Sequence, residues 1–88
     1  MKPIRWSAHA RKKAAKREIS EAEAEQTIAR PDFIVPGQPA RRIFMRRYLD
    51  EVLETQMFLR VVVEETDMEI VVVTLCKTSK FRKYEPSP

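Results

Sequence analysis

A chain of 88 residues has room for one domain and one core, and domains near this size bury only about 60–65% of their unfolded surface. The single cysteine excludes an internal disulfide, the single glycine excludes a glycine-rich phosphate loop, and no Cys/His spacing fits a metal site. Lys and Arg outnumber Asp and Glu 17 to 13, a net charge of +4, so an anionic partner suits the chain better than a cationic one.

The first seventeen residues carry seven Lys or Arg and no acid. No apolar run there resembles a signal peptide and none elsewhere approaches membrane-spanning length, so a cytoplasmic protein without a membrane partner is expected. Trp6 reads as a packing anchor, Ser7 as an N-cap, and Ala8 to Lys16 is rich in helix formers. Residues 18–29 reverse the charge, with four Glu and no base. Ser20-Glu21-Ala22-Glu23 has the spacing of a capping box, and Ile19 with Ala24 that of a hydrophobic staple. Pro31 stops this second helix, because the residue before a proline is pushed out of the helical region. Helices are therefore predicted over residues 7–16 and 20–30.

Beyond Pro31 the period changes to alternation. Val35-Pro36-Gly37-Gln38 reads as a type II turn joining a strand at Asp32–Val35 to one at Ala40–Leu49. Leu49–Glu54 is an acidic connection. Thr55–Glu64 and Met68–Cys76, separated by Glu65-Thr66-Asp67, are β-branched and apolar on both faces, which predicts a hairpin in the middle of a sheet. Residues 1–84 form the expected domain, and Glu85–Pro88 is expected to fray. The predicted fold is α+β, in the order α-α-β-β-β-β, with two helices on one face of a four-stranded antiparallel sheet.

Three features carry possible chemistry. His9, Lys12, Lys13 and Lys16 share one helix face, which makes His9 a candidate proton acceptor beside fixed cations; a solvated lysine face with a histidine at its edge fits the same spacing. In the strand Arg41–Tyr48, alternation puts Arg42, Phe44, Arg46 and Tyr48 on one face and Ile43 and Met45 on the other. With Ile43 and Met45 under the helices, the Arg–aromatic row lies open, where guanidinium groups pair with phosphate and rings stack on bases. The same residues also fit an edge strand protected by charge. Lastly, the basic tail from Lys77 to Tyr84 could cross the open face and bring Lys77, Lys80, Arg82 and Tyr84 near Arg42 and Arg46, or stay solvated. Cys76 reads as a small buried residue. No Ser-His-Asp set can be assembled.

The pairs His9-Ala10 and Lys13-Ala14, the run Arg17-Glu18-Ile19-Ser20, Pro31-Asp32 and the closing run Ile70-Val71-Val72-Val73-Thr74 resemble the bacterial domain-of-unknown-function family 4258. The resemblance covers most of residues 4–78, with Lys13 for the usual Arg, Ala14 for Met and Glu18 for Gly. That family's layout is similar to RelE-type toxins and to metal-independent ribonucleases of the barnase and colicin kind. These place basic and aromatic residues on the open sheet face and promote attack of an RNA 2′-OH on the adjacent phosphate. The resemblance implies an RNA-interacting protein, with no cofactor and no metal, whose candidates include His9, Arg17, Arg42, Arg46, Thr74 and Tyr84. Of these, His9, Arg17 and Thr74 match the family's own pattern. His9 and Tyr84 are the catalytic candidates, and Arg42, Phe44, Arg46, Tyr48, Lys77 and Arg82 the RNA-binding ones. An alternative is a non-enzymatic module that binds an acidic antitoxin-like protein or a second copy of itself.

Overall fold

The structure is a computed structural model that describes residues 2–37 and 40–86. Ser7 caps α1 (Ala8–Arg17), its Oγ accepting from the Ala10 N–H at 3.0 Å. Ala10 and Ala14, one turn apart, are the buried residues of α1, and their small side chains let its axis lie close to the sheet. Glu18 ends the helix in the left-handed region, at φ 56°. The Glu18 N–H donates to Ala15 O and the Ile19 N–H to Ala14 O at 3.3 and 2.9 Å, which is a Schellman motif with buried Ile19 packed into the core beside Ala14.

The capping box predicted for the second helix is present at α2 (Glu21–Ala29): Ser20 Oγ accepts from the Glu23 N–H, and Glu23 Oε1 accepts from the Ser20 N–H. Ala24, Thr27 and Ile28 are buried, and the Thr27 hydroxyl is satisfied by Glu23 O at 2.9 Å.

Four strands follow α2: β2 (Phe33–Pro36), β3 (Arg41–Asp50), β4 (Thr55–Glu65) and β5 (Ile70–Thr78). They pair antiparallel in sequence order, with β4 at the centre of the sheet as its two-sided hydrophobicity predicts. Two elements correct the expectation of four antiparallel strands after two helices. A short β1 (Ile4–Trp6) adds a fifth strand parallel to β5, and a single turn, α3 (Phe81–Tyr84), follows the sheet. The final order is β1-β5-β4-β3-β2. The predicted type II turn is also corrected: Pro36 is the last residue of β2, opposite Arg42, and Gly37 lacks the positive φ such a turn needs. Gln38 lies outside the described residues, as do the last two positions of the expected frayed tail. The Glu85 N–H donates to Phe81 O and its carboxylate pairs with Arg47.

The core joins Trp6, Ala10, Ala14, Ile19, Ala24 and Ile28 to Leu59, Val61, Val63, Val72 and Leu75 on one sheet face. Phe44 belongs to it, with Tyr48 packed at its margin. The parity expected for β3 is therefore reversed: Phe44, opposite Val61, faces the helices, while Ile43 and Met45 face away. The aromatic pair wins because two rings remove more apolar area from water than Ile and Met do. Arginines stand at 41, 42, 46 and 47, so either parity leaves arginines on both faces and charge gives no preference.

Met45 is nonetheless 1% exposed, because the second face is also covered. Phe58 sits there edge-on between Phe33 and Phe81, at centroid distances of 6.1 and 5.9 Å.

Glu18→Gly relieves the left-handed strain, about 1 kcal/mol or more for a residue with a Cβ, against about 0.5–1 kcal/mol of added unfolded-state entropy. Urea denaturation should show the variant equal to or more stable than the parent, by up to about 1 kcal/mol. A clear loss would show that the Glu18 side chain, rather than its backbone, holds this turn.

Candidate functional site

The start of α1 is fixed against the β5 edge just beyond the end of β1. Ser7 N donates to Val72 O at 3.1 Å and Ser7 Oγ to Val73 O at 3.1 Å. Val73 is a bulge, since Val63 pairs with Val72 and Val62 with Thr74. Such an extra residue re-aims the side chains that follow it. Here it brings Leu75, and Lys77 after it, to the helix side. Beside the bulge, Thr74 Oγ1 lies 3.3 Å from His9 Nε2. The histidine thus has the orienting partner that the sequence alone could not supply.

His9, Lys12, Lys13, Lys16 and Arg17 line a shallow cleft of about 290 Å³. Among the described residues no carboxylate comes within ion-pair distance of its four cations. By contrast Lys2, Arg5, Arg11, Arg41, Arg42, Arg47 and Lys77 all have acidic partners. Of the candidates that match the family's own pattern, His9 thus meets Thr74 and shares its cleft with Arg17.

The structure does not bring together the expected RNA-binding row. Phe44 is 4% exposed and offers no ring face to a ligand. Tyr48 is half-buried, Arg42 pairs with Glu65 and lies 5.0 Å from the Phe44 centroid, and Arg46 reaches Gln26 O at 3.5 Å. This row lies on the helix side, where its long arginines extend along the core margin to reach polar partners.

The tail does cross the opposite face, but it meets different arginines. Arg47 lies 4.8 Å from the Phe81 centroid and Arg60 lies 4.3 Å from that of Tyr84. Tyr84 and His9, the two catalytic candidates, thus stand on opposite sides of the sheet. Arg82 is exposed, and half-buried Cys76 lies 3.9 Å from Arg60 Nη1.

Lys77 shares its side of β5 with buried Leu75, and its ammonium is 2.6 Å from Asp50 Oδ2 with both side chains almost fully buried. Asp50 Oδ1 accepts from the Val52 and Leu53 N–H groups at 3.0 and 3.1 Å, and Tyr48 Oη donates to Oδ2 at 3.2 Å. Lys77 also donates to Glu18 O at 3.2 Å. Lys77 is a structural cation, not a phosphate ligand. Its hydrogen bond to Asp50 holds that carboxyl below the ordinary carboxylate range, reinforced by the Leu53 N–H and opposed by burial. Burial, then the nearby Glu23 and Asp50 charges, push the Tyr48 phenol well up, so it stays protonated. Asp50 was missed within an apparently loose acidic connection. The available signal was parity, because Asp50 continues the inward row of Phe44 and Tyr48 as Lys77 continues that of Leu75.

The described residues contain no group of three or more His, Cys, Asp or Glu able to hold a metal ion, and no helix long and apolar enough to cross a membrane. Fold and site define a two-layer α+β domain with an uncompensated basic cleft on its first helix. The chain belongs to the family Domain of unknown function (DUF4258), which it matches over residues 6–77. That span takes in Trp6, all of α1 and the buried Lys77. No curated protein and no solved structure matches the chain.

The Asp50 carboxyl has a folded-state pKa below its unfolded value of about 3.9. It therefore contributes stability that is present above about pH 4 and lost as pH falls through the folded value. Asp50→Asn should lower stability at pH 7 and flatten the acid limb of the stability–pH curve. Lys77→Ala strands the buried carboxylate and should cost about 3 kcal/mol or more, read as a fall of about 4–8 °C in Tm per kcal/mol. An unchanged acid limb in Asp50→Asn would show that other carboxyls set it.

Proposed function

We propose that the protein binds RNA through the basic face of α1, in a RelE-like relationship, and that metal-independent phosphodiester cleavage is the chemistry open to His9. One observation carries this reading: four cations without acidic partners surround a histidine oriented by a threonine hydroxyl. Fixed cations stabilise the negative charge that develops on a phosphate under attack. Two helices on one face of the antiparallel β2–β5 array are in keeping with the RelE-like relationship, as are the chain's size and basicity.

With His9 Nε2–H donating to Thr74 Oγ1, Nδ1 is free to accept a proton. A 2′-OH within reach passes its proton to Nδ1 as the O2′–P bond forms and the P–O5′ bond breaks. The departing 5′ oxygen takes a proton from water. The products are a 2′,3′-cyclic phosphate and a 5′-OH end. Thr74 acts as a positioning residue, through the tautomer and orientation of His9.

Titration of a single-stranded RNA oligonucleotide against salt tests the binding. Each neutralised phosphate contributes about 0.7 to the log–log slope, so Lys12→Ala with Lys13→Ala and Lys16→Ala should flatten it by about two. Arg42→Ala with Arg46→Ala should leave it nearly unchanged. No binding at low salt, or a slope that follows Arg42 and Arg46 instead, defeats the assignment. Cleavage is tested in excess EDTA by the appearance of cyclic phosphate ends. His9→Ala should lower it by about 10²–10⁴-fold, and Thr74→Val less. Binding without cleavage would leave a non-enzymatic module as the function.

A further inference from the structure

A second cleft in the described residues is larger than the basic one. It has a volume of about 520 Å³ and lies between α2, the end of β3 and the β3–β4 turn. Ser20, Glu23 and Gln26 recur every third residue of α2 and form one wall. Tyr48 lies on the β3 side, and Glu18 and Glu51 add carboxylates to its margin. Arg46 is the cation on its inner side, with Arg47 beside it already engaged by Glu85.

The lip of this cleft is apolar and built. Val52, which lines the cleft, is 66% exposed, and its neighbour Leu53 is 51% exposed. Turns favour Gly, Asn, Asp and Ser for the conformations these residues adopt, and this one ends on Glu54 at φ 53°. The backbone of the turn is held from inside, since Asp50 accepts the Val52 and Leu53 N–H groups while locked to Lys77. Val52 and Leu53 are thus presented outward on a braced turn. Single exposed aliphatics are ordinary, whereas a contiguous group beside a cleft marks an interaction surface.

We infer that the α2/β3–β4 cleft docks a protein segment that is both basic and apolar, in which a Lys or Arg sits beside Leu- or Val-type side chains. Charge selects this occupant. Glu18, Glu23 and Glu51 line the cleft against Arg46, since Asp50 is paired with Lys77 and Arg47 with Glu85. Such a rim repels RNA and anionic lipid headgroups and attracts a cation. The partner's ammonium or guanidinium group is placed near the Tyr48 ring between carboxylates, and its apolar neighbours cover Val52 and Leu53. The site is separate from the basic cleft of α1 and does not depend on the RNA reading.

The test uses the full chain and a short fluorescein-labelled peptide alternating leucine and lysine, read by anisotropy and by amide chemical shifts. The peptide should bind and shift the amides of residues 20–26 and 48–53. Val52→Asp with Leu53→Asp should weaken it about tenfold or more while RNA titration at α1 stays unchanged. Glu18→Gln with Glu51→Gln should weaken it less and reduce its salt dependence. The inference is overturned if the peptide does not bind or if its shifts map elsewhere. It is also overturned if a leucine–glutamate peptide binds this face equally well. Binding of phosphatidylserine vesicles that is lost in the Val52/Leu53 double variant would overturn it in favour of a membrane surface.

Discussion

The Lys77 ammonium and Asp50 carboxylate meet at 2.6 Å with both side chains almost fully buried, and four parts of the chain converge on them. Taking two charges out of water costs several kcal/mol each, and attraction repays this only where the remaining donors and acceptors are also satisfied. Here Asp50 also accepts from the Tyr48 hydroxyl and two turn N–H groups, and Lys77 also donates to the Glu18 carbonyl. The end of β3, the following turn, the end of β5 and the end of α1 are therefore fixed relative to one another. Neither partner can change alone without stranding the other. Sliding β3 by one residue would carry Asp50 to the opposite face, so the pair also locks the parity that puts Phe44 under the helices.

Much of the fold was legible because local signals agreed with tertiary ones. Ser7 and the Ser20–Glu23 box mark helix starts with hydrogen-bonding groups that act within one turn, so no knowledge of the rest of the chain is needed. The β4–β5 hairpin was legible for a different reason: its apolar side chains on both faces only suit a strand covered on both faces. What stayed hidden was non-local. A three-residue β1 has no period to detect, and its parallel pairing with β5 spans more than sixty residues of chain. The doubled arginines masked β3's parity. With Arg at 41–42 and 46–47, the polar pattern reads the same on either face, and only the competition between Phe44–Tyr48 and Ile43–Met45 for the core decides.

The candidate site shows the same division. The helical spacing of His9, Lys12, Lys13 and Lys16 made the basic face visible from the sequence. The contact that orients His9 was invisible, because it joins side chains 65 residues apart in the chain. The arginine–aromatic surface was anticipated in kind but not in membership: the face away from the helices carries Arg47 on Phe81 and Arg60 on Tyr84. Those rings belong to the chain itself, so stacking capacity expected for a ligand is used to hold the C-terminal turn over Phe58.

The two clefts are divided by a single peptide unit. Arg17 lines the basic one and Glu18 the acidic one. The left-handed turn at Glu18 makes this possible, because it reverses the chain between the basic α1 and the acid-rich α2. Lys16 and Arg17 in the last turn of α1 meet the negative end of its dipole, and Glu21 and Glu23 in the first turn of α2 meet the positive end of theirs. Each helix is thus stabilised by the charge that also defines its surface. Mixing the two charge types would weaken both helix ends and both fields together. The segregation read along the chain is therefore a consequence of helix electrostatics as much as of any partner, and a polyanion and a basic segment can approach the domain without competing for the same side chains.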